Sequence, residues 1–332
     1  LDELAPRSKL LAQAKGYGQG LSFVERIGYF IRMDNREEVR QFLTSRRAKI
    51  TPEAVGLPAG SHRRVQGLRR SEVAALAGVS VEYYTKLERG SIRGASPQVL
   101  DALSKALRLD DAERAYLFDL AQASSPVGRP PKKRSAQHWK PHTSLQWILD
   151  SVTAGPAFIR NGRLDLLATN LLARALYKDV YDMPGRVPNL ARFTFLDDRA
   201  YAFYSDWESF ADVTVAILRT EAGRDPHNKE LHDLIGELST RSEEFRVKWA
   251  AQNVRQHGAG IKTFNHPVVG QITLAYEGLE MEADPGLSLT IYAAEPGSES
   301  ADRLKILASW AASEYENGAA VSQGSDVSSI AR

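Results

Sequence analysis

Residues 70–89, RSEVAALAGVSVEYYTKLER, constrain this chain more tightly than any other stretch. Two short helices can cross at a steep angle only if particular positions are apolar, small or glycine. Val73 and Ala77 fall on the inward face of the first helix, and Ala74 is small where the second helix crosses it. Gly78 sits at the turn, where a left-handed backbone is cheapest without a Cβ. Val79 closes the turn, and Ser80 can cap the second helix through its hydroxyl. Glu82 meets the positive end of that helix, and Tyr84 and Leu87 bury it. The window therefore predicts a helix-turn-helix with helices over about 70–77 and 80–89.

This packing turns Val81, Glu82, Thr85, Lys86 and Arg89 outward, with Tyr83 at the boundary. The second helix of such a motif reads base edges from its N-terminal end in the major groove of double-stranded DNA. Val81, Glu82 and Tyr83 are the expected base-reading residues, with Ser80 at the start of the helix and Thr85 next in line. Glu82 can accept from a cytosine amine, and Val81 can touch a thymine methyl. Arg69, Arg70 and Ser71 open the first helix, where side chains and backbone N–H groups hold phosphate. Lys86, Arg89 and Arg93 can do so on the other side. For each arginine a solvated surface charge is the lesser alternative; the cluster as a whole does not read that way. The motif usually works in pairs, so a homodimer on a pseudo-palindromic operator is expected, with half-sites one DNA turn apart.

Charge divides the chain in the same way. Net charge is only +2 over 332 residues. Residues 36–135, however, carry 19 Lys/Arg against 11 Asp/Glu, whereas residues 136–332 carry 19 against 26. A basic segment joined to an acidic one implies that the first meets the polyanion. No cysteine is present, which excludes disulfides and thiolate-bound zinc. No apolar run approaches the ~20 residues of a membrane span, and a cytoplasmic location is expected. The first methionine is Met33, just before the first strong helical pattern. Residues 1–34 are accordingly expected to be an upstream extension or one added in cloning, with Met33 the native start.

The basic domain is expected over 35–123 as five short helices: 35–49, the two of the motif, 97–108 opened by Ser96 and Pro97, and 111–121. Residues 124–143, rich in Pro, Ser and basic side chains, read as an exposed linker. From 144 to 312 the pattern becomes α+β. A helix at 144–152 precedes a hairpin turning at Asn161-Gly162. Helices follow at about 170–178, 197–222, 228–240 and 243–256, then strand-like runs in 260–279 and 287–295, and a last helix at 299–312. The expected fold is an antiparallel sheet with helices inserted between its first and last strands. The tail, 313–332, reads as disordered.

The chain resembles, over roughly residues 37–312, bacterial regulators of the xenobiotic-response-element type that carry an MmyB-like ligand-binding domain. The N-terminal likeness rests on RRAKITPEAVGLP, GLRRSEVAALAGVSVEYYTKLERG and SPQVLDALSKALRLDDAERAYLFDLA. The C-terminal one rests on FIRNGRLDLLATN, FTFLDDRAYAFYSDWESFADVTVAILR, IGELSTRSEEFRVKWA, NHPVVGQITLAYEGL and YAAEPGSESADRLKILASW. Members of the family usually have Trp where this chain has Thr169. The resemblance implies a transcription factor, taken here as a repressor, whose second domain has a PAS-like fold and binds an apolar small molecule such as a fatty acid.

The residues of the second domain show no catalytic constellation, so no enzyme activity and no cofactor are expected. His227 and His232 are five apart and miss the spacing of a helical metal pair. Asp197 and Asp198 open a helix and read as dipole and capping residues. Aromatic residues are dense, and Phe193, Phe195, Tyr204, Trp207, Phe210 and Trp249 are candidates for a ligand pocket between sheet and helices. A plain aromatic core explains the same residues. Arg246 and His266 are candidate anchors for a carboxylate head, although Arg246 can instead pair with Glu243. A domain that binds a protein partner or dimerises without any small molecule remains the alternative.

Overall fold

The computed structural model describes residues 35–58, 65, 67–124, 139–183, 187–252 and 258–329, with side chains through residue 314. The upstream segment and most of the expected linker lie outside the described residues.

The N-terminal domain is built from α1 (Asn35–Lys49), a single 3-10 turn (Glu53–Val55), α2 (Arg70–Leu76), α3 (Val81–Glu88), α4 (Pro97–Ala106) and α5 (Asp111–Ala123). Five α-helices, as expected, enclose one core of Val39, Phe42, Leu43, Leu68, Val73, Tyr84, Leu87, Leu100, Leu103, Tyr116, Leu117 and Leu120. Local chemistry sets the helix starts. Ser80, Ser96 and Asp110 accept from the backbone N–H of Tyr83, Val99 and Glu113, satisfying donors that a helix leaves unpaired. Gly78 takes the turn between α2 and α3 at φ 66°.

The C-terminal domain begins with α6 (Thr143–Ser151), β1 (Ala157–Asn161) and β2 (Leu166–Thr169). The inserted helices are α7 (Leu171–Leu176), α8 (Lys178–Tyr181), α9 (Leu190–Leu196), α10 (Arg199–Phe203), α11 (Trp207–Arg224), α12 (Lys229–Arg241) and α13 (Glu243–Ala250). Then come β3 (Ala259–His266), β4 (Gly270–Glu280), β5 (Leu287–Ala293) and α14 (Glu299–Ser329). The five strands form one sheet in the order β2-β1-β5-β4-β3, every pair antiparallel. The inserted helices and α14 cover one face with a core that includes Phe158, Tyr177, Phe193, Phe203, Phe245, Phe264, Leu274, Tyr292 and Leu307. Leu145 and Leu149 of α6 pack against Ala157, Ile159 and Ala168 on the other face.

Three expectations needed correction. The single helix read over 197–222 is α10 and α11, with α9 before them. The break falls where Tyr204 forms an isolated bridge to Phe264 and Asp206 accepts from the Ser209 N–H, so a side-chain cap and a tertiary bridge override a continuous helical pattern. The hairpin leaves β1 at Asn161 but needs more than two residues. Asn161 Oδ1 accepts from the Arg163 and Asp165 N–H groups, and Leu164 takes φ 67°. The last helix runs to Ser329, through the segment read as disordered. That stretch has no proline to end the helix, although Gly318, Gly324 and its serines are weak helix formers.

The two domains share a buried contact between α1 and α5 on one side and α11 and α13 on the other. Arg219 of α11 is fully buried and pairs with Glu38 of α1. The Tyr116 hydroxyl of α5 donates to the same carboxylate at 2.6 Å. Arg219 also donates to Gln252 Oε1 at 2.7 Å and to the Trp249 carbonyl, and its guanidinium lies 4.1 Å over the Trp249 ring. Gln252 in turn donates to Gln41 at 2.9 Å. Gly223 lets the Tyr116 ring close on α11; a Cβ there would lie 2.3 Å from the ring.

Candidate functional site

The first candidate surface is the open face of α2 and α3. Helical periodicity divides α3: Tyr84, Leu87 and Glu88 are buried, while Val81, Glu82, Lys86 and the following Arg89 are exposed and Tyr83 and Thr85 are half-buried. Ser80 is spent on the cap, accepting from the Tyr83 N–H at 3.1 Å. Arg69, Arg70 and Ser71 are exposed at the start of α2, and Arg93 is exposed beyond α3. None of these eleven residues takes part in the interdomain contacts described above. An α-helix with its side chains is about 10–12 Å across, which suits the ~12 Å width of a major groove.

The buried anchor of α3 is Glu88. Arg47 of α1 and Arg70 of α2 both pair with it, and the Tyr84 hydroxyl donates to it at 3.2 Å. Burial and the adjacent Glu88 carboxylate push the Tyr84 phenol far above its usual range. One carboxylate thus ties three helices together and fixes the angle at which α3 is presented. Arg70 holds that carboxylate while its side chain stays 48% exposed, so it can reach phosphate only by sharing its charge with Glu88.

The second candidate site is a cavity between the helix-covered face of the sheet and α9 and α11. It is small, with an enclosed volume of about 40 Å³, and it is partly open to solvent. Phe158 and Arg160 of β1, Lys262 of β3, Tyr276 of β4 and Thr290 and Tyr292 of β5 form one side; Thr194, Tyr204, Phe210, Val213, Thr214 and Ile217 form the other, with Tyr177 between them. Tyr177 and Tyr292 share a hydroxyl–hydroxyl bond of 2.9 Å. Burial raises the phenols of Tyr177, Tyr204 and Tyr292 well above their usual range, so they remain O–H donors.

Of the eight sequence candidates for the pocket, only Tyr204 and Phe210 line this cavity, stacked on each other at 4.0 Å. Phe193 lies behind Tyr204 at 5.9 Å between rings. Phe195 and Trp207 pack edge to face in the core, and the indole N–H donates to the Thr194 carbonyl. Trp249 lies under Arg219 at the interdomain contact. Arg246 is exposed beside Glu243, at 3.9 Å. His266 is buried, with Nε2 at 3.2 Å from the Ala175 carbonyl and its ring near Trp310, and burial lowers its pKa. The expected anchors are therefore not at the cavity, because Arg246 faces solvent and His266 is engaged in the core.

The cations that do face the cavity are Arg160 and Lys262. Strand alternation carries their signal: Phe158 and Arg160 share one face of AFIRN, as do Lys262, Phe264 and His266 in IKTFNH. Among the described residues no cluster of His, Asp or Glu has the makeup of a metal site. No helix among them is long and apolar enough to cross a membrane.

Two family profiles match the chain. That of the MmyB-like transcription regulator ligand binding domain covers residues 141–307, and that of a helix-turn-helix domain covers residues 38–117. No curated protein matches the chain closely enough to count as a relative.

Proposed function

The chain belongs to the MmyB-like transcription regulators, and from that premise we propose that occupancy of its C-terminal cavity by a small, largely apolar molecule such as a fatty acid sets its affinity for an operator. The observation that carries this reading is the double duty of α11. Val213, Thr214 and Ile217 line the cavity, and Arg219, half a turn on, holds the buried contact with α1 and α5 of the DNA-reading domain. A ligand that shifts α11 acts directly on the element to which that domain is clamped, which is how two sites acquire a coupling free energy. The strand order and the helices inserted between β2 and β3 support a PAS-like reading of the sensor. The protein acts in the cytoplasm as a homodimer on paired half-sites.

DNA recovered from random sequence by the full-length protein should contain two related half-sites about one turn apart. Substitution of Val81, Glu82 or Tyr83 by Ala should change the recovered half-site. Replacing Arg69 or Arg89 by Ala should instead weaken all sequences alike and flatten the salt dependence by about one unit of log–log slope each. A half-site unchanged by every substitution at 81–83 would refute this placement of the reading residues.

A further inference from the structure

We infer that two copies of this chain meet through the outer face of the sheet, across β3, β4 and β5. The inference rests on the homodimer reading and locates its interface.

Strand alternation sends Phe264, Ile272, Leu274 and Tyr292 into the helix-covered core, so the odd-numbered residues of these strands face the other way. A sheet face left to water normally carries polar side chains. This one carries Ile261, Leu279, Leu289, Ile291 and three alanines, and Glu277 is the one ionisable residue at its strand positions. Ile261 is 74% exposed and Leu279 48%. Helix α6 covers the β1–β2 side through Leu145 and Leu149, and Leu289 and Ile291 are half-buried against the same cluster. The apolar surface is therefore continuous from α6 to β3. Its far end is polar but self-satisfied: the Thr263 and Thr273 hydroxyls bond each other at 3.0 Å.

The sheet edges do not offer the alternative of strand addition. At β3 the Ser205 N–H donates to the Thr263 carbonyl at 3.3 Å and Tyr204 bridges Phe264; at β2 the Leu166 N–H donates to the Pro188 carbonyl at 2.8 Å. A second copy fits the face itself. Ile261 pairs across the strands with Ala275, and Ala275 with Ala293. That row sets a protruding side chain beside a trough with nothing beyond Cβ. A two-fold contact needs knob and hole on one patch, and this patch has both. Its single carboxylate lies opposite Ala259, at the first residue of β3, so charge does little to select a foreign protein. Three strands ~4.8 Å apart and roughly seven residues long, with the flank of α6, present on the order of 500 Å². That is below the ~800 Å² per partner of a standard interface, so without DNA the dimer is reversible. Lys262, Tyr276 and Tyr292 line the cavity on the opposite face, so pairing leaves the cavity free.

Sedimentation equilibrium of the full chain tests this. The wild-type protein should pass from one to two chains per particle with a Kd on the order of 10 µM. Ile261→Glu and Leu279→Glu should each weaken pairing at least ten-fold while unfolding at the wild-type temperature, because both side chains already face water in the single chain. Ile306→Glu, at an exposed position of α14 on the other side of the sheet, should pair like the wild type. Should a Glu variant unfold early, Ile261→Thr takes its place, with pairing weakened at least three-fold. If the wild type pairs and the variants at 261 and 279 pair as tightly, or if Ile306→Glu is weakened as much as they are, this face is wrong while the homodimer reading stands. A wild-type chain that stays single at ten times that concentration overturns both.

Discussion

Glu38→Gln should undock the two domains and split the thermal unfolding of the protein into two transitions. Glu38 is 5% exposed and receives both Arg219 and the Tyr116 hydroxyl. Gln keeps the shape but removes the charge, leaving a fully buried guanidinium without a counter-ion. Breaking a buried pair in this way costs about 3–5 kcal/mol, comparable to the whole stability of many domain contacts. Arg219→Met should destabilise as well, because it leaves the buried Glu38 carboxylate with only the Tyr116 hydroxyl beside it. The double variant Glu38→Met, Arg219→Met should recover much of the loss, since buried ion pairs are often replaceable by packing alone. Scanning calorimetry distinguishes these outcomes. One unchanged transition for Glu38→Gln would show that the ion pair does not hold the domains together.

Lys262→Met should stabilise the C-terminal domain in the absence of ligand. Burial, reinforced by Arg160 across the cavity, lowers the Lys262 pKa to about 7. The groups facing it are Arg160, Tyr276 and Tyr292, with Tyr177 and Tyr204 in the same cavity; none is an acid. In the unfolded chain the amine titrates near 10.4. Between about pH 7 and that value the unfolded state holds a proton the folded state has released, so stability from this group rises with pH. Below about pH 7 the penalty is present in full. Discounted for water reaching the cavity, it is about 2–3 kcal/mol. Met removes the penalty, so the gain should be largest at pH 6 and shrink toward pH 10. Equal or lower stability of the variant at pH 6 would show that Lys262 is neutralised by a contact within the protein. The same sign governs ligand binding. An anion favours charged Lys262, so affinity for a carboxylate should fall as pH rises above 7, by up to about ten-fold per unit.

The reading head was legible in the sequence because everything that specifies it is local. Ala74, Gly78, Ser80, Tyr84 and Leu87 lie within 20 residues, and their sizes and spacing require one another. The cavity was not legible in the same way. Its cations come from β1 and β3, strands about a hundred residues apart, which face one cavity only after β5 and β4 pair between them. Arg160 and Lys262 could be placed on inward faces by alternation alone, but their convergence could not. Aromatic density pointed to the region that holds the cavity yet did not separate cavity wall from packed core, as Phe195 and Trp207 show. The Glu38–Arg219 pair was hidden for the same reason. On α1, Glu38 reads as one charge among many, and its burial is decided by a helix 181 residues away.

The proposed coupling of cavity and operator runs through α11. The direct measurement is the affinity of the full-length protein for its selected operator, read by fluorescence anisotropy with and without saturating decanoate. The wild-type dissociation constant should change at least five-fold, and that of Glu38→Gln should not respond although the variant still binds decanoate. An operator affinity that stays the same while decanoate is bound to the wild-type protein would contradict it.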